Sequence, residues 1–359
     1  MTGPTVRLLA DDLTGALDTA AEFVAIAGSV PVYWHDAIPK DLPATAAIDT
    51  GTRELSSVSA EATITGLAPM MFGADIAYKK IDSLLRGPTL AEIAACAKTG
   101  FWRHVVLCPA FPFQGRAMRA GRQHARDTAG IWSAVTGDLV AELQGLGIKA
   151  YHAAHGDPLR PGIAVFDAET DDDLVRVAQT GRGKDVLWCG SGGLAQALSG
   201  GTSTQSPLPE PILGLIGSDH AVTAAQLRSC DPHWIVLPDP DPEPVRRRLR
   251  DHGKALASLE LSAGLGRAEA AALIRSGFTT LLRDLPRPGT LLAAGGETLH
   301  GICTALRATS LDVRGRIVPG LPRSILRGGR WDGVTVVSKS GAFGTPTLLR
   351  DLLEQRTIQ

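Results

Sequence analysis

The sequence predicts an α/β protein of two domains, each a mainly parallel sheet flanked by helices. Short apolar segments alternate along the chain with longer segments of helical spacing, which is the order expected of βαβ units. At 359 residues the chain is long enough for two domains of ordinary size. A run rich in glycine, serine, threonine and proline predicts a linker at 200–211, between domains at 1–199 and 212–359.

The composition narrows the classes of function. The formal charge is -1, from 36 basic and 37 acidic residues, whereas a general nucleic-acid binder would show a basic excess. Five scattered cysteines without a Cys-x-x-Cys pair are typical of reduced thiols in a cytoplasmic protein. The amino-terminal sequence lacks a signal-peptide pattern, and no apolar run is long enough to span a membrane. We therefore expect a cytoplasmic protein that binds small molecules, with neither nucleic acid nor membrane as partner.

The first predicted strand, Leu8 to Ala10, stops at two adjacent carboxylates, Asp11 and Asp12. We predict a tight turn at 14–15 and a helix over 16–27. Ligands of open α/β sheets bind at the carboxyl ends of strands, where this turn lies. Neighbouring side chains on an extended backbone point to opposite sides, so one aspartate faces a crevice while the other holds the turn or caps the helix. The alternative is that both are solvated turn residues.

The rest of the first domain repeats the same order of elements. Predicted strands lie at 30–34, 45–50, 75–78, 104–108 and 185–189, and helical spacing at 90–97 and 194–198. The strand at 75–78 runs into a basic segment in which Lys79, Lys80 and Arg86 flank Asp82 and Ser83. Apolar neighbours pull this segment toward the protein body, and a partly buried basic cluster favours an anionic ligand. The alternative is a solvated basic loop paired with nearby acids.

The second domain combines strands with glycine-containing turns. Predicted strands lie at 212–216, 235–237, 290–294 and 334–337, and helices at 267–275 and 347–354. Thr223 and Gln226 have the spacing of a capping box, which would start a helix there. The alternative is that 221–227 is already helical. His152 and His155 could seed a metal site, but no further ligand completes it, and we predict no metal ligands from the chain.

Three strands of the second domain end in such turns. The residues concerned are Gly217 with Ser218, the run Gly295, Gly296, Glu297 and Thr298, and the run from Gly341 to Gly344 that follows Lys339. Glycine allows backbone N–H groups to approach phosphate oxygens, and a helix N-terminus adds a favourable dipole. None of the turns matches a P-loop or the dinucleotide pattern Gly-x-Gly-x-x-Gly. Three turns together with a lysine predict a nucleotide site.

Taken together, these motifs resemble the four-carbon acid sugar kinases, which include the 3-oxo-tetronate, D-threonate and D-erythronate kinases. The resemblance covers nearly the whole chain. It is carried by Ala10–Ala16, Lys79–Gly87, Pro109–Pro112 with Gly115 and Arg116, Gly217 and Ser218 with Thr223 and Gln226, Gly295–Thr298, and Lys339–Gly344.

The resemblance implies a sugar-acid domain, an ATP domain and an active site in the interdomain cleft. It also implies transfer of the γ-phosphoryl group of ATP, with Mg²⁺, to the terminal hydroxyl of threonate, erythronate or a 3-oxo-tetronate. Ser218, Gly295 to Thr298 and Gly341 fall on nucleotide-binding positions.

From the residues we assign either Asp12 or Asp11 to accept the substrate hydroxyl. Arg86 with Lys79 or Lys80 would hold the substrate carboxylate, while Asp82 and Ser83 would bind sugar hydroxyls. Lys339 and the glycine turns, Gly344 included, would hold the ATP phosphates. A nucleotide-dependent sugar-acid dehydrogenase and a non-catalytic sugar-acid or nucleotide sensor stay open as alternatives, as does a homodimer.

Overall fold

The computed structural model describes residues 3–127, 129–181, 185–201, 203, 206–262 and 264–358. The chain folds as two compact units, Met1–Thr202 and Ser203–Gln359. Each contains a mainly parallel sheet flanked by helices, so the predicted α/β class is confirmed. Three residues of the predicted linker, Thr202, Thr204 and Gln205, lie outside the described residues.

The first unit contains an eight-stranded parallel sheet and a small antiparallel sheet. Its strands are β1 (Val6–Ala10), β2 (Val30–Trp34), β3 (Ala46–Asp49), β4 (Ile76–Lys80), β5 (His104–Cys108), β6 (Arg116–Arg119), β7 (Arg122–Arg126), β8 (Trp132–Ala134), β9 (Ala150–Ala153), β10 (Gly162–Phe166) and β11 (Val186–Gly190). Its helices are α1 (Leu13–Ala27), α2 (Ser57–Leu67), α3 (Thr89–Lys98), α4 (Leu139–Gly145), α5 (Asp171–Thr180) and α6 (Gly192–Ser199).

The strand order of the large sheet places β1 between β3 and β4, so the carboxyl ends of these three strands are neighbours. The order is β2-β3-β1-β4-β11-β5-β10-β9, and β6, β7 and β8 form the separate antiparallel sheet. The chain passes from β1 to β2 and β3 on one side and then returns to β4 on the other side of β1. Ligands of open α/β sheets bind at such a reversal, outside the carboxyl ends of the strands.

Helices cover both faces of this sheet. Tyr78 of β4 packs edge-on against Phe23 of α1 with ring centroids 5.5 Å apart, whereas the next residue, Lys79, pairs with Glu92 of α3. Consecutive residues of a strand point to opposite faces, so α1 and α3 lie on opposite sides of the sheet.

Helix α1 begins earlier than the sequence predicts. Asp12 is its N-cap, and the Asp12 carboxylate accepts the backbone N–H of Gly15 at 2.9 Å. Helix α1 therefore starts at Leu13, and residues 14–15 lie in its first turn rather than in a separate tight turn. The physical reason is that an aspartate satisfies one of the free N–H groups of a new helix, so the helix can begin directly after the strand.

The second unit contains one seven-stranded sheet. Its strands are β12 (Ile212–Ile216), β13 (Trp234–Leu237), β14 (Lys254–Leu259), β15 (Thr290–Ala294), β16 (Ser310–Arg316), β17 (Pro322–Arg327) and β18 (Thr335–Lys339). Its helices are α7 (Ala221–Arg228), α8 (Glu243–His252), α9 (Arg267–Asp284), α10 (Gly296–Leu306) and α11 (Leu348–Leu353).

The strand order of this unit is β13-β14-β12-β15-β18-β17-β16. The first five strands are parallel, and β17 and β16 continue the sheet antiparallel. Leu256, Leu292 and Val337 lie in a buried apolar cluster that also includes Leu349 and Leu352 of α11. Because β12, β15 and β18 are neighbours, the three predicted glycine turns lie at adjacent strand ends.

Two further observations concern the whole chain. All five cysteines are buried and free. Among the described residues, no helix has both the length and the apolar character needed to cross a membrane.

Candidate functional site

The two aspartates after β1 have different environments. The Asp11 side chain is only 3% exposed and that of Asp12 is 25% exposed. Asp12 Oδ1 accepts the Gly15 N–H, as above, while its Oδ2 lies 2.7 Å from Arg53 Nη1. Asp11 Oδ2 lies 2.7 Å from Arg53 Nε, and Asp11 Oδ1 has no hydrogen-bond partner among the described residues. Asp12 is therefore the carboxylate of the pair that solvent or a ligand can reach.

Arg53 links three carboxylates and was not found from the sequence. Its guanidinium contacts Asp11 and Asp12 and lies 3.6 Å from Asp82 Oδ2. It follows β3 in the run Asp49-Thr50-Gly51-Thr52-Arg53. An arginine just after a strand end is a usable signal, but the sequence does not show that β3 is hydrogen-bonded to β1, and only this pairing brings Arg53 to the aspartates.

The charges of this cluster shift the pKa values of its acids in opposite directions. Burial alone would raise the pKa of Asp11, but the cations of Lys80 and Arg53 lower it below its ordinary value. Burial raises the pKa of Asp12, with Arg53 opposing and Asp11 adding to the rise. Burial raises the pKa of Asp49, at the end of β3, to about 7. A carboxylate with a raised pKa is the better proton acceptor.

The two lysines at the end of β4 have different surroundings. Lys79 is fully buried, with its Nζ 2.6 Å from Glu92 and 3.0 Å from the Lys80 carbonyl oxygen to which it donates. Its charge is thus already neutralised within the protein. Lys80 points to the other face, where its Nζ lies close to Gly15 in the first turn of α1, 2.6 Å from the position a Cβ there would take. No carboxylate lies within ion-pair distance of Lys80 among the described residues.

The loop after β4 is organised by Asp82. Its Oδ1 accepts the backbone N–H of Leu84 at 2.7 Å, and its Oδ2 accepts both Nε (2.9 Å) and Nη2 of Arg86. Burial would raise the pKa of Asp82, but Arg86 and Arg53 hold it below its ordinary value. Ser83 is half-buried in this loop, and Arg86 is exposed. The structure thus brings Asp11, Asp12, Lys80, Asp82, Ser83 and Arg86 together at the ends of β1 and β4.

In the second unit the predicted nucleotide residues meet at the ends of β12, β15 and β18. A Cβ added at Gly341 would collide with Ser218 Oγ, and one added at Gly217 would collide with Thr298 Oγ1. The Gly295 N–H donates to the Lys339 carbonyl oxygen at 3.0 Å. Glycines at these positions let the three turns pack closely against one another, with the Ser218 and Thr298 hydroxyls against glycine backbone.

Thr223 and Gln226 do not mark a helix start, because α7 begins at Ala221 with His220 as its N-cap. Both side chains instead hold the loop after β18. Thr223 Oγ1 donates to the Gly341 carbonyl oxygen at 2.8 Å. Gln226 Nε2 donates to the carbonyl oxygens of residues 343 and 345 at 3.0 and 2.9 Å.

Lys339 is the cation of this cluster. It is buried, and among the described residues its Nζ contacts neutral groups alone, donating to Thr223 Oγ1 at 3.0 Å and to the Gly341 carbonyl oxygen at 3.4 Å. Burial lowers its pKa to about 8. Such a lysine gains its missing counter-charge when an anion binds beside it.

The remaining predicted nucleotide residues are spread around the same strand ends. Gly296 is the first residue of α10, and Thr298 is buried in its first turn. Glu297 is exposed and lies 3.4 Å from the exposed Arg267. Gly344 lies in the loop held by Gln226. The structure therefore brings all these residues together except the Glu297 side chain, which faces solvent.

Two family models match the chain. One, described as a sugar-binding N-terminal domain, matches residues 6–144, and one described as a nucleotide-binding C-terminal domain matches residues 241–349. The class of protein is therefore one with a sugar-binding domain followed by a nucleotide-binding domain.

Relatives of known name narrow the class of protein further. A D-threonate kinase of Cupriavidus necator is 31% identical over 95% of both chains. A D-threonate kinase of Bordetella bronchiseptica is 28% identical over 97% of this chain and 96% of its own, and a D-erythronate kinase of Heliobacterium modesticaldum is 25% identical over 94% of both. The chain belongs to the four-carbon acid sugar kinase family, as its motifs indicate.

Solved structures share the fold at lower identity. A Salmonella typhimurium LT2 protein has a TM-score of 0.75 at 19% identity over 99% of both chains. A Haemophilus influenzae protein has a TM-score of 0.69 at 19% identity over 97% of this chain and 98% of its own.

Proposed function

We propose that this protein transfers the γ-phosphoryl group of ATP to the terminal hydroxyl of a four-carbon sugar acid. The observation that carries the proposal is the cluster at the ends of β1, β3 and β4, where Arg53 joins Asp11, Asp12 and Asp82. Carboxylates and cations alternate there within hydrogen-bonding reach, as the recognition of an anionic polyol requires. The names of the three kinase relatives support the same class of substrate.

Within this cluster we assign Asp12 as the group that accepts the proton of the substrate hydroxyl. Asp12 is the more exposed of the two adjacent aspartates, and its pKa is raised. Asp11 is buried, and its role would be to hold Arg53 in place. Arg53 fixes the orientation of the Asp12 carboxylate, so a hydroxyl bound there meets a preorganised acceptor.

The other residues would bind and orient the sugar acid. Lys80 has no ion-pair partner among the described residues, and its ammonium would neutralise negative charge that develops near Asp12. Asp82 and Ser83 would bind sugar hydroxyls, and Arg86 would act on the carboxylate. Lys79 is better assigned to the structure of the domain, because its charge is already paired with Glu92.

The second unit would bind ATP. The turns that carry Ser218, Thr298 and Gly341 pack closely at adjacent strand ends, and Lys339 is a buried cation whose contacts among the described residues are the neutral Thr223 hydroxyl and Gly341 carbonyl oxygen. Both features suit phosphate oxygens. The side chain of Glu297 is the exception, because it faces Arg267 and solvent.

Mg²⁺ would bind mainly through the phosphates of ATP. Within the described part of the chain, no group of three or more His, Cys, Asp or Glu side chains is arranged to hold a metal ion. Magnesium sites in kinases commonly use one or two carboxylates together with substrate phosphates. When bound, the ion would neutralise charge on the transferring phosphoryl group.

The proposed role of Asp12 is tested by Asp12→Asn. The amide keeps the hydrogen bond from Gly15 N–H but cannot accept the hydroxyl proton, so we expect ADP formation to fall by about 10²-fold or more. ATP affinity, measured by calorimetry, should stay within about twofold of wild type, since Asp12 belongs to the other unit. Turnover near the wild-type rate would exclude Asp12 from this role.

A homodimer and the location of the active site in the interdomain cleft remain proposals. Light scattering on the purified protein, with and without ATP, tests the first of them.

A further inference from the structure

Arg116 is a conspicuous cation that the proposed function does not use. It begins β6, directly after the Pro109–Gly115 segment that follows β5. Its Nη1 donates to two backbone carbonyl oxygens, Gln114 O at 2.7 Å and Gly115 O at 3.2 Å. Its Nε is buried and has no hydrogen-bond partner within the described ranges. The guanidinium is thus held in place by backbone while one of its donors is left open.

The arginines and lysines of the first unit's cluster differ in what neutralises them. Arg53 contacts Asp11 and Asp12, Arg86 contacts Asp82, and Lys79 contacts Glu92. For Arg116, by contrast, the described residues place no carboxylate within 4 Å. Leaving a buried donor unpaired is costly, so an open guanidinium donor at a binding site favours an anionic ligand.

Arg116 lies beside the loop that holds Asp82 and Ser83. Strand β6 pairs with β7, placing Met118 opposite Gln123. Gln123 is buried, and its Nε2 donates to the Ser83 carbonyl oxygen at 2.6 Å and to the Pro109 carbonyl oxygen at 3.3 Å. The small sheet is therefore fastened to the β4–α3 loop.

The charges agree with this placement. Burial lowers the pKa of Arg116, Asp82 acts in the opposite direction, and Arg86 adds to the lowering. Arg116 therefore senses the two charges that organise the substrate loop.

We propose that Arg116 binds the carboxylate of the sugar acid and makes the site select acids over neutral polyols. The proposal rests on the proposed function, and it deepens it by orienting the substrate. The carboxylate end would lie at Arg116 and Arg86, and the terminal hydroxyl at Asp12. The planar guanidinium suits this task because it can donate two parallel hydrogen bonds to one carboxylate.

The test compares charged and neutral ligands in the absence of ATP. The dissociation constants of D-threonate, D-erythronate and the primary amide of each are measured by calorimetry on wild type, Arg116→Gln and Arg119→Gln. Arg119 is the matched control, because it lies on the same strand but contacts Glu169 at 2.8 Å and the Trp132 ring at 4.5 Å.

We expect wild type and Arg119→Gln to prefer an acid over its amide by about 100-fold, and Arg116→Gln to lose about tenfold or more of that preference, the remainder coming from Arg86. A purely structural role would weaken acid and amide alike and leave their ratio unchanged, which would overturn the proposal. The proposal would also be overturned if Arg116→Gln bound the acid as tightly as wild type does, or if wild type bound neither D-threonate nor D-erythronate.

A second variant covers the case in which Arg116→Gln does not fold. Arg116→Lys keeps the charge but lacks the planar fork, and we expect its acid-to-amide preference to fall about tenfold. A wild-type preference in this variant would overturn the proposal. The binding assay contains no ATP and so does not depend on turnover. A wild type that binds the acid in this assay, but forms no ADP in a separate assay with ATP and Mg²⁺, would refute the proposed function while leaving the role of Arg116 standing.

Discussion

The buried pair formed by Lys79 and Glu92 gives the sharpest distinction between a structural and a substrate-binding lysine. Their side chains are 0% and 1% exposed, and the charged atoms are 2.6 Å apart. Glu92 Oε1 has no hydrogen-bond partner among the described residues. Replacing Lys79 with methionine would leave a carboxylate buried without its counter-ion, which costs about 3–5 kcal/mol.

Replacing both partners should restore most of the lost stability. In Lys79→Met/Glu92→Met no charge is buried, and exchanges of this kind are often neutral or stabilising. We expect the double variant to lie within about 1 kcal/mol of wild type in free energy of unfolding, from urea midpoints followed by tryptophan fluorescence. We also expect its dissociation constant for the sugar acid to stay within about twofold of wild type.

The exposed pair of Lys98 and Glu61 provides the control. Its atoms are 2.8 Å apart at the surface, and exposed pairs are worth about 0–1 kcal/mol, so Lys98→Met should change stability little. Our assignment of Lys79 would be refuted by a double variant that is folded and stable but has lost its affinity for the sugar acid.

Three further predictions concern Asp49, Lys339 and Gly341. The pKa of Asp49 is raised to about 7, so the folded protein binds this proton more tightly than the unfolded chain, and stability falls as pH rises from about 4 to 7. Asp49→Asn has no carboxyl to ionise, so at pH 8 its free energy of unfolding, from urea midpoints, should exceed that of wild type by on the order of 4 kcal/mol. At pH 5 the difference should be much smaller. An equal difference in free energy at both pH values would contradict this prediction. Burial lowers the pKa of Lys339 to about 8, so the affinity of wild type for ATP, measured by calorimetry, should fall as pH rises from 7 to 9. In Lys339→Met the affinity should be about tenfold weaker or more at every pH and should not fall further over this range. Parallel pH profiles in the two proteins would show that Lys339 does not contact the phosphates. Gly341→Ala should weaken the affinity for ATP by about tenfold or more, because the new Cβ would collide with Ser218 Oγ, and should leave the affinity for the sugar acid unchanged. An unchanged affinity for ATP would place the nucleotide elsewhere.

The sequence predicted the features that depend on local patterns. Strand β1 with its two aspartates is a short apolar run that stops at charge, and the turns after β12, β15 and β18 are marked by glycine. The alternation of strands and helices then defined both units. The start of α1 was predicted too late, because residues 14–15 were read as a separate tight turn, whereas Asp12 caps a helix that already begins at Leu13.

What the sequence did not predict depends on contacts between distant residues. Arg53 reaches Asp11 across 42 positions, through the parallel pairing of β1 with β3. Lys79 was grouped with Lys80 because they are adjacent, yet alternation on β4 sends them to opposite faces. Whether a basic residue is free for a ligand is decided by which acid it meets, and that acid comes from another element.

Several elements were also not predicted, for a related reason. The small sheet β6–β8 is rich in arginine and has no clear alternation of apolar and polar residues. Helix α8 is highly charged, and the antiparallel strands β16 and β17 follow one another without a two-residue turn signal. Their formation is settled by packing on the rest of each unit rather than by local pattern.

The most direct test of the central claim is ADP release by the full chain with ATP and Mg²⁺. The acids to be offered are D- and L-threonate, D- and L-erythronate and their 3-oxo and 2-oxo relatives, and phosphorus NMR would locate the new phosphate. The account predicts strong release with at least one acid and a phosphate on its terminal carbon. Failure to release ADP with every acid, from a protein that binds ATP, would contradict it.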